Sequence, residues 1–553
     1  MRYILSLLAL LLVFSCKDSK SREAREPISK SETSVKEKDT SGIEAISNKD
    51  FREFKVRDSK NLTKADIWAE INPQMEDFTE ADYNSLKPYI LERDIPTLQK
   101  NIAIGDLNYE KLVKFYLYRI RKFDRENSLS LNSVIAINPE VIEQAKIADK
   151  TNFIQAPHPV FGMPILLKDN INASGMATTA GAVALKDNIT EDAFITKQLK
   201  TKGALILGKV NLSEWAYFFC GDCPSGYSAV GGQTLNPYGR GVFDTGGSSS
   251  GSGVATSVNF AAATIGSETA GSILSPASQN SVVGLKPTIG LVSRSGIVPI
   301  SSTLDTAGPI TRTVMDNAII LDAIYGYDSK DSKSLNTNRV SYLNFSTQNT
   351  LQGKRFGAPK RFLEDSLYTK ALSVLKNKGA TIVEIEEENL SLPNFLRLLN
   401  IDMKKDLPAY FSNAANSNLK MKSVNDVIAF NKKDSVNRMP YGQNLFYGIA
   451  SDEGDLDYLK AIKDTLKTNG TSYFNIPMRK HNLDGFLSVN NSHAAFAAVA
   501  EFPALTVPMG YTNEGEPKGL TFIAKPLQEK QLLEWAYAYE QASKTRVSPK
   551  NYN

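Results

Sequence analysis

The sequence predicts an α/β layer fold built on a mostly parallel or mixed sheet. Short apolar runs bounded by Gly and Pro recur along the chain, and stretches with helical spacing lie between them. Of 553 residues, 42% are hydrophobic, enough to bury a large core. The 64 Lys and Arg against 60 Asp and Glu leave a net charge of +4, which is nearly neutral for this size and gives no electrostatic case for a nucleic-acid partner. With only three Cys and three His, there is little material for a zinc enzyme or a histidine-based triad.

Taken in order, residues 1–15 carry one Arg ahead of an apolar run from Ile4 to Phe14. That is the length of a signal-peptide core and too short for a membrane span, which needs about 20 apolar residues. Ser15-Cys16 follows. The arrangement resembles the lipobox of bacterial lipoproteins. It implies cleavage after residue 15, lipidation of Cys16, and a lipid-anchored place in the cell envelope facing the periplasm. A plain secretory signal with an incidental cysteine is the alternative. Residues 16–60 are dense in Lys, Ser, Glu, Asp and Thr and are expected to form a solvated, disordered linker.

Residues 61–553 are expected to form the folded domain. A helix is expected over 88–95, with Pro88 in its first turn. Another is expected over 109–123, where Leu112, Phe115, Tyr116, Ile120 and Phe123 share a face, and a third over 140–149 after Asn138-Pro139. Residues 163–167, 204–207 and 261–265 read as buried strands, and 191–200 as a helix capped by Thr190. Residues 330–480 are more polar and read as a variable helical excursion around the sheet. Strands over 483–489 and 504–509 and a helix over 528–543 close the chain.

Chemistry concentrates in residues 160–310. Three pieces stand out there: Pro164 to Asn170 with Lys168, Gly246 to Gly253 with Ser248, and Gly266 to Ile273 with Ser272. Each alone has an ordinary reading, as a solvated strand end, a flexible Gly/Ser loop and a turn. The Gly/Ser loop lacks the Gly-Lys-Ser/Thr of a phosphate-binding loop. Together they describe a nucleophile. Ser272 follows a buried strand behind the small residues Ala270 and Gly271, where consecutive N–H groups suit a developing oxyanion. A free hydroxyl is a poor nucleophile at neutral pH, and no histidine lies close by to activate it. A buried Lys168, its ammonium disfavoured by desolvation, supplies a base, with Ser248 as a proton relay.

These residues resemble the amidase signature family, serine hydrolases with a Ser–cis-Ser–Lys triad. The resemblance runs from about residue 85 to 543 and includes Lys286-Pro287-Thr288, Asp305-Thr306-Ala307-Gly308-Pro309 and Pro503 to Gly510. It implies the amidase-signature fold, a central mixed twisted sheet covered by helices on both faces. It also implies Ser272 as nucleophile, Ser248 as relay behind a cis Gly247–Ser248 bond, Lys168 as base, and the N–H groups of Thr269, Ala270, Gly271 and Ser272 as oxyanion hole. Ala270 and Leu274 stand where most members carry glycine and arginine. Glu268-Thr269-Ala270-Gly271-Ser272, Asn211 to Ala216 and Gly231 to Tyr238 are similar to the bacterial peptide amidase branch. A positive φ at Ala270 would strain the hole.

The resemblance implies hydrolysis of a carboxamide through an acyl-enzyme on Ser272, with a primary amide such as a peptide C-terminal amide as substrate and ammonia as product. An aryl- or acyl-amide amidase, or a non-catalytic envelope protein that binds through the same fold, is the alternative. The transfer-RNA amidotransferase A subunit shares the fold but fits neither the signal sequence nor the charge. No metal and no cofactor are expected. Cys220 and Cys223 read as a local disulfide or free thiols ahead of a redox or metal role, in a loop leading toward the pocket. His158 and His493 read as packing residues, and Glu268 as a carboxylate that orders the turn. Substrate preference is expected to reside in residues 330–500.

Overall fold

The computed structural model describes residues 54–125, 128–151, 158–337 and 340–553. The expected signal peptide, Cys16 and the linker up to residue 53 lie outside the described residues. Thirteen strands are described: β1 (Val134–Ile137), β2 (Pro164–Lys168), β3 (Leu205–Val210), β4 (Tyr227–Ser228), β5 (Gly232–Gln233), β6 (Ala263–Glu268), β7 (Val283–Lys286), β8 (Thr306–Thr311), β9 (Arg355–Pro359), β10 (Thr381–Ile385), β11 (Gly485–Val489), β12 (Ala504–Tyr511) and β13 (Pro517–Ile523). Eleven of them form one sheet in the order β1-β3-β2-β6-β8-β7-β12-β13-β11-β9-β10, and β4 pairs only with β5. The sheet is mixed. The β3-β2-β6 and β11-β9-β10 runs are parallel, and the strands between them are antiparallel.

Every residue of β2, β3 and β6 is buried, as continuous apolar strands in the middle of a covered sheet require. The helix Tyr109–Phe123 has the expected bounds, begins on Asn108, whose side chain accepts the N–H of Lys111, and packs against the helix Val141–Asp149. The C-terminal helix Glu529–Ser543 lies against β12 and the helix Val314–Ile324. Each fully buried Leu, Ile or Phe on these faces contributes about 1.5–3 kcal/mol.

Four expectations are corrected. Pro88 does not start a helix. It sits in the last turn of Glu80–Ile90, and the next helix, Ile95–Ala103, is capped by Asp94 with Pro96 in its first turn. The helix expected over 191–200 is Phe194–Thr201, with Ala193 and not Thr190 at its N-cap. The preceding residues are tied down elsewhere: Ala193 N–H donates to Asn172 O, and Asp192 holds Ser174 N–H and Lys200. The excursion over 330–480 is not purely helical, because it supplies the strand β9 and the edge strand β10 before the helices from Phe395–Asn413 to Leu456–His481. Residues 54–60, expected within the linker, also make specific contacts. Lys55 and Val56 N–H groups donate to Tyr441 Oη at 2.8 and 3.3 Å, and Arg57 O accepts Gln233 N–H at 2.7 Å.

Candidate active site

Lys168 is the last residue of β2. Because β2 lies between two parallel neighbours, the side chain there is enclosed, and Lys168 is 0% exposed. Its Nζ lies 2.8 Å from Ser248 Oγ and donates to Ser267 O at 3.0 Å. Burial pushes the amine down to about 7, against the opposing pull of Asp305 and Glu268. The lysine expected to serve as base is therefore dry, next to the relay serine, and near neutrality.

Ser248 follows a cis Gly247–Ser248 bond, as the resemblance implied. Its carbonyl accepts Ser213 N–H at 3.0 Å. Ser249 then ties the three pieces together: its N–H donates to Ser272 O at 3.2 Å, and its Oγ donates to Ser267 O at 3.0 Å. The helix Ser250–Ser257 starts immediately after. A Cβ on Gly251 would come within 2.4 Å of Asn211 O, so glycine is required by close packing and not for flexibility.

At the end of β6, Glu268 Oε2 accepts Ile273 N–H at 2.7 Å and Leu274 N–H at 3.0 Å, satisfying the first donors of the helix Leu274–Gln279. Glu268 orders the turn, as its sequence position suggested. The turn it braces leaves four consecutive donors available. Among the described residues, the N–H groups of Thr269, Ala270, Gly271 and Ser272 have no protein acceptor. The left-handed backbone falls on Gly271, at φ +102°, and Ala270 is not among the positive-φ residues, so the Ala-for-Gly departure carries no strain. Ser272 is half-buried, and its Oγ makes no hydrogen bond among the described residues. The structure thus brings Lys168 and Ser248 into direct side-chain contact and links residue 272 to them through its backbone.

Asp305 is a site residue that sequence reasoning left without a role. Its Oδ1 accepts Thr269 Oγ1 at 2.6 Å, and Oδ2 accepts the N–H groups of Ile300 and Ser301 at 2.8 and 2.9 Å. Burial pushes it up to about 6. Asp305 was visible only inside the Asp305–Pro309 motif, and nothing in the sequence aligned it with Thr269.

A cavity of about 720 Å³ meets the turn at Ser267, Glu268 and Thr269, one side away from Lys168, Ser248 and Ser272, which do not line it. Asp406 and Tyr410, on the helix Phe395–Asn413, form its outer wall. That helix is pinned to the loop after β2: Tyr410 Oη donates to Asn172 Oδ1 at 2.8 Å, and Asn172 Nδ2 donates to Ala414 O at 2.9 Å. Residues 330–500 therefore supply part of the lining, and the loops around Asn170, Arg294 and Asp305 supply the rest. Ala216, between Trp215 and Tyr217, also lines the cavity, and all three have left-handed backbones. This loop runs on to Cys220 and Cys223, which form a disulfide, and Tyr217 Oη donates to Cys223 O at 2.9 Å.

The two buried histidines lie outside this machinery. His493 is held between Ser488 Oγ at 2.6 Å and Glu387 Oε1 at 2.7 Å, and His158 Nε2 lies 3.3 Å from Asp322 Oδ2.

The family model described as Amidase matches residues 111–533. A probable amidase of Arabidopsis thaliana is 35% identical over 466 residues, covering 80% of this chain and 88% of that protein. Among solved structures, an amidase family protein from Bacillus anthracis str. Ames is similar with a TM-score of 0.85 at 37% identity, over 89% of this chain and 99% of that one. The native peptide amidase of Stenotrophomonas maltophilia is similar with a TM-score of 0.79 at 38% identity, over 84% of this chain and 99% of that one.

Proposed function

The chain belongs to the amidase family and is an amide-hydrolysing enzyme, and on that premise we propose that it cleaves primary carboxamides, peptide C-terminal amides among them, through an acyl-enzyme on Ser272. The observation that carries this reading is the enclosed Lys168 Nζ 2.8 Å from Ser248 Oγ. Neutral Lys168 accepts the proton of Ser248 as Ser248 accepts that of Ser272, and Ser272 Oγ bonds to the amide carbon. The carbonyl oxygen, now an anion, takes hydrogen bonds from the unpaired N–H groups of the turn 269–272. The proton returns through Ser248 to the amide nitrogen, the C–N bond breaks, and ammonia leaves. Water then attacks the ester by the same relay, giving the carboxylate and free Ser272. The likeness to a peptide amidase supports the choice of peptide amides over aryl amides.

A fluorophosphonate probe is expected to label the protein and to fail on Ser272→Ala of unchanged melting temperature. Labelling that survives in Ser272→Ala refutes the role of Ser272. Ammonia release from amidated peptides, set beside release of arylamine from acyl anilides, decides between the two substrate classes.

Export and anchoring stay part of the proposal on the strength of residues 1–16 alone. Metabolic labelling with palmitate, expected in the parent and absent in Cys16→Ser, tests them.

A further inference from the structure

From the charges around the cavity we infer that the acyl part of the substrate carries a cationic group, an ammonium or guanidinium. The inference deepens the amide-hydrolase reading and rests on it. Asp305, Asp328, Asp331 and Asp406 line the cavity together with one guanidinium, Arg294. Arg294 is already committed: its Nε donates to Asp331 Oδ2 at 2.9 Å, and a second guanidinium nitrogen contacts Asp331 Oδ1. Asp305, Asp328 and Asp406 are held by neutral donors, whereas Asp192, which also lines the cavity, is paired with Lys200. Asp305 takes Thr269 Oγ1 and two backbone N–H groups, Asp328 takes Ser293 Oγ at 2.6 Å and Lys330 N–H at 2.9 Å, and Asp406 takes Ser302 N–H at 2.6 Å. The ammonium groups that reach the cavity, Lys197 and Lys330, belong to exposed residues at its rim.

A second observation, independent of charge, points the same way. Asn170 lines the same cavity and is 2% exposed; its Nδ2 is spent on Ser267 Oγ and Val298 O, while its Oδ1 has no donor among the described residues. A buried acceptor without a donor costs free energy until something donates to it. The cavity thus carries net negative charge right up to Thr269, the first donor of the turn, with Asn170 Oδ1 as an unpartnered acceptor beside it. A ligand rich in N–H donors and positively charged satisfies all of these at once. A free carboxylate in the same place meets like charge.

The test compares three acetylated dipeptide amides, Ac-Phe-Lys-NH2, Ac-Phe-norleucine-NH2 and Ac-Phe-Glu-NH2, by ammonia release from the full chain at pH 8. The expected order of kcat/KM is Lys, then norleucine, then Glu, with about a tenfold or larger step from norleucine to Lys at low salt that shrinks as salt rises. Asp406→Asn and Asp328→Asn are each expected to bring the Lys-to-norleucine ratio toward one. Equal or reversed rates, with the norleucine amide cleaved well, overturn the cationic preference and leave the amide-hydrolase reading standing. A ratio that ignores both Asn variants also overturns it. Release of ammonia from none of the three removes the underlying peptide-amide reading, and this inference with it.

Discussion

The buried amine makes a quantitative claim about acid. As the proposed base, Lys168 would act only when neutral, and its enclosure brings it down to about 7. Below that value each unit of pH removes about nine-tenths of the neutral form, so kcat/KM at pH 5 is expected at about one-hundredth of its alkaline plateau. The assay is ammonia release from one uncharged primary amide between pH 5 and 9, with circular dichroism at each pH to show that the fold persists. Asp305 supplies a companion measurement. Its carboxylate favours the ammonium form of Lys168, so Asp305→Asn moves the acid limb to lower pH. The same burial affects stability. Between about 7 and the unfolded value near 10.4, the unfolded chain holds one proton more at this site, so the Lys168 contribution raises stability with pH across that window. Below about 7 the penalty is complete, on the order of 4–5 kcal/mol, and the two hydrogen bonds of Nζ offset about 1 kcal/mol each. Lys168→Met is therefore expected to be inactive yet more stable than the parent at pH 6 in urea. A flat rate profile down to pH 5 with intact fold, or a Lys168→Met variant that still turns over, refutes the reasoning.

Other perturbations probe the surrounding structure. Gly271→Ala places a Cβ 3.0 Å from Asn491 Nδ2 at a φ of +102°, and is expected to lower kcat about 10²-fold by displacing the turn donors, read against an unchanged rate of heat unfolding to within a few-fold. Lys209, fully buried 3.1 Å from Asp169 Oδ1, neutralises a carboxylate directly behind the base; Lys209→Met strands that charge and is expected to cost about 3–5 kcal/mol in urea denaturation. Reducing Cys220–Cys223 opens a very short loop, whose closure restricts the unfolded chain by only about 2 kcal/mol, so dithiothreitol is expected to lower the melting temperature by a few degrees at most in differential scanning calorimetry.

The legible parts of this fold were those written locally. Tyr109–Phe123 announces itself by an apolar face and an Asn cap, and β2, β3 and β6 by apolar runs too short for helices. The nearness of Lys168 to Ser248 and the cis bond came through motif resemblance, since the two residues are 80 positions apart and only the sheet makes them neighbours. What stayed hidden depended on partners. Thr190 looked like a cap, but the backbone around Asn172 and Ser174 claims the residues after it. The strand β10 sits at the sheet edge, where only one of its five residues is buried and the apolar signal is weak. Residues 54–60 read as linker from composition, yet Tyr441 and Gln233, almost 400 and 180 positions away, fix them. Asp305 could not be paired with Thr269 by any local pattern.

With Lys168 as the proposed base, its dryness also ties hydrolysis to the integrity of the molecule. Any partial opening that lets solvent reach the amine returns it to ordinary basicity, where it sits protonated at neutral pH and cannot take a proton from Ser248. A heat-damaged or half-folded copy is thus silenced before it comes apart, and turnover is a more sensitive gauge of loosening around β2 than any signal that waits for the whole sheet to melt.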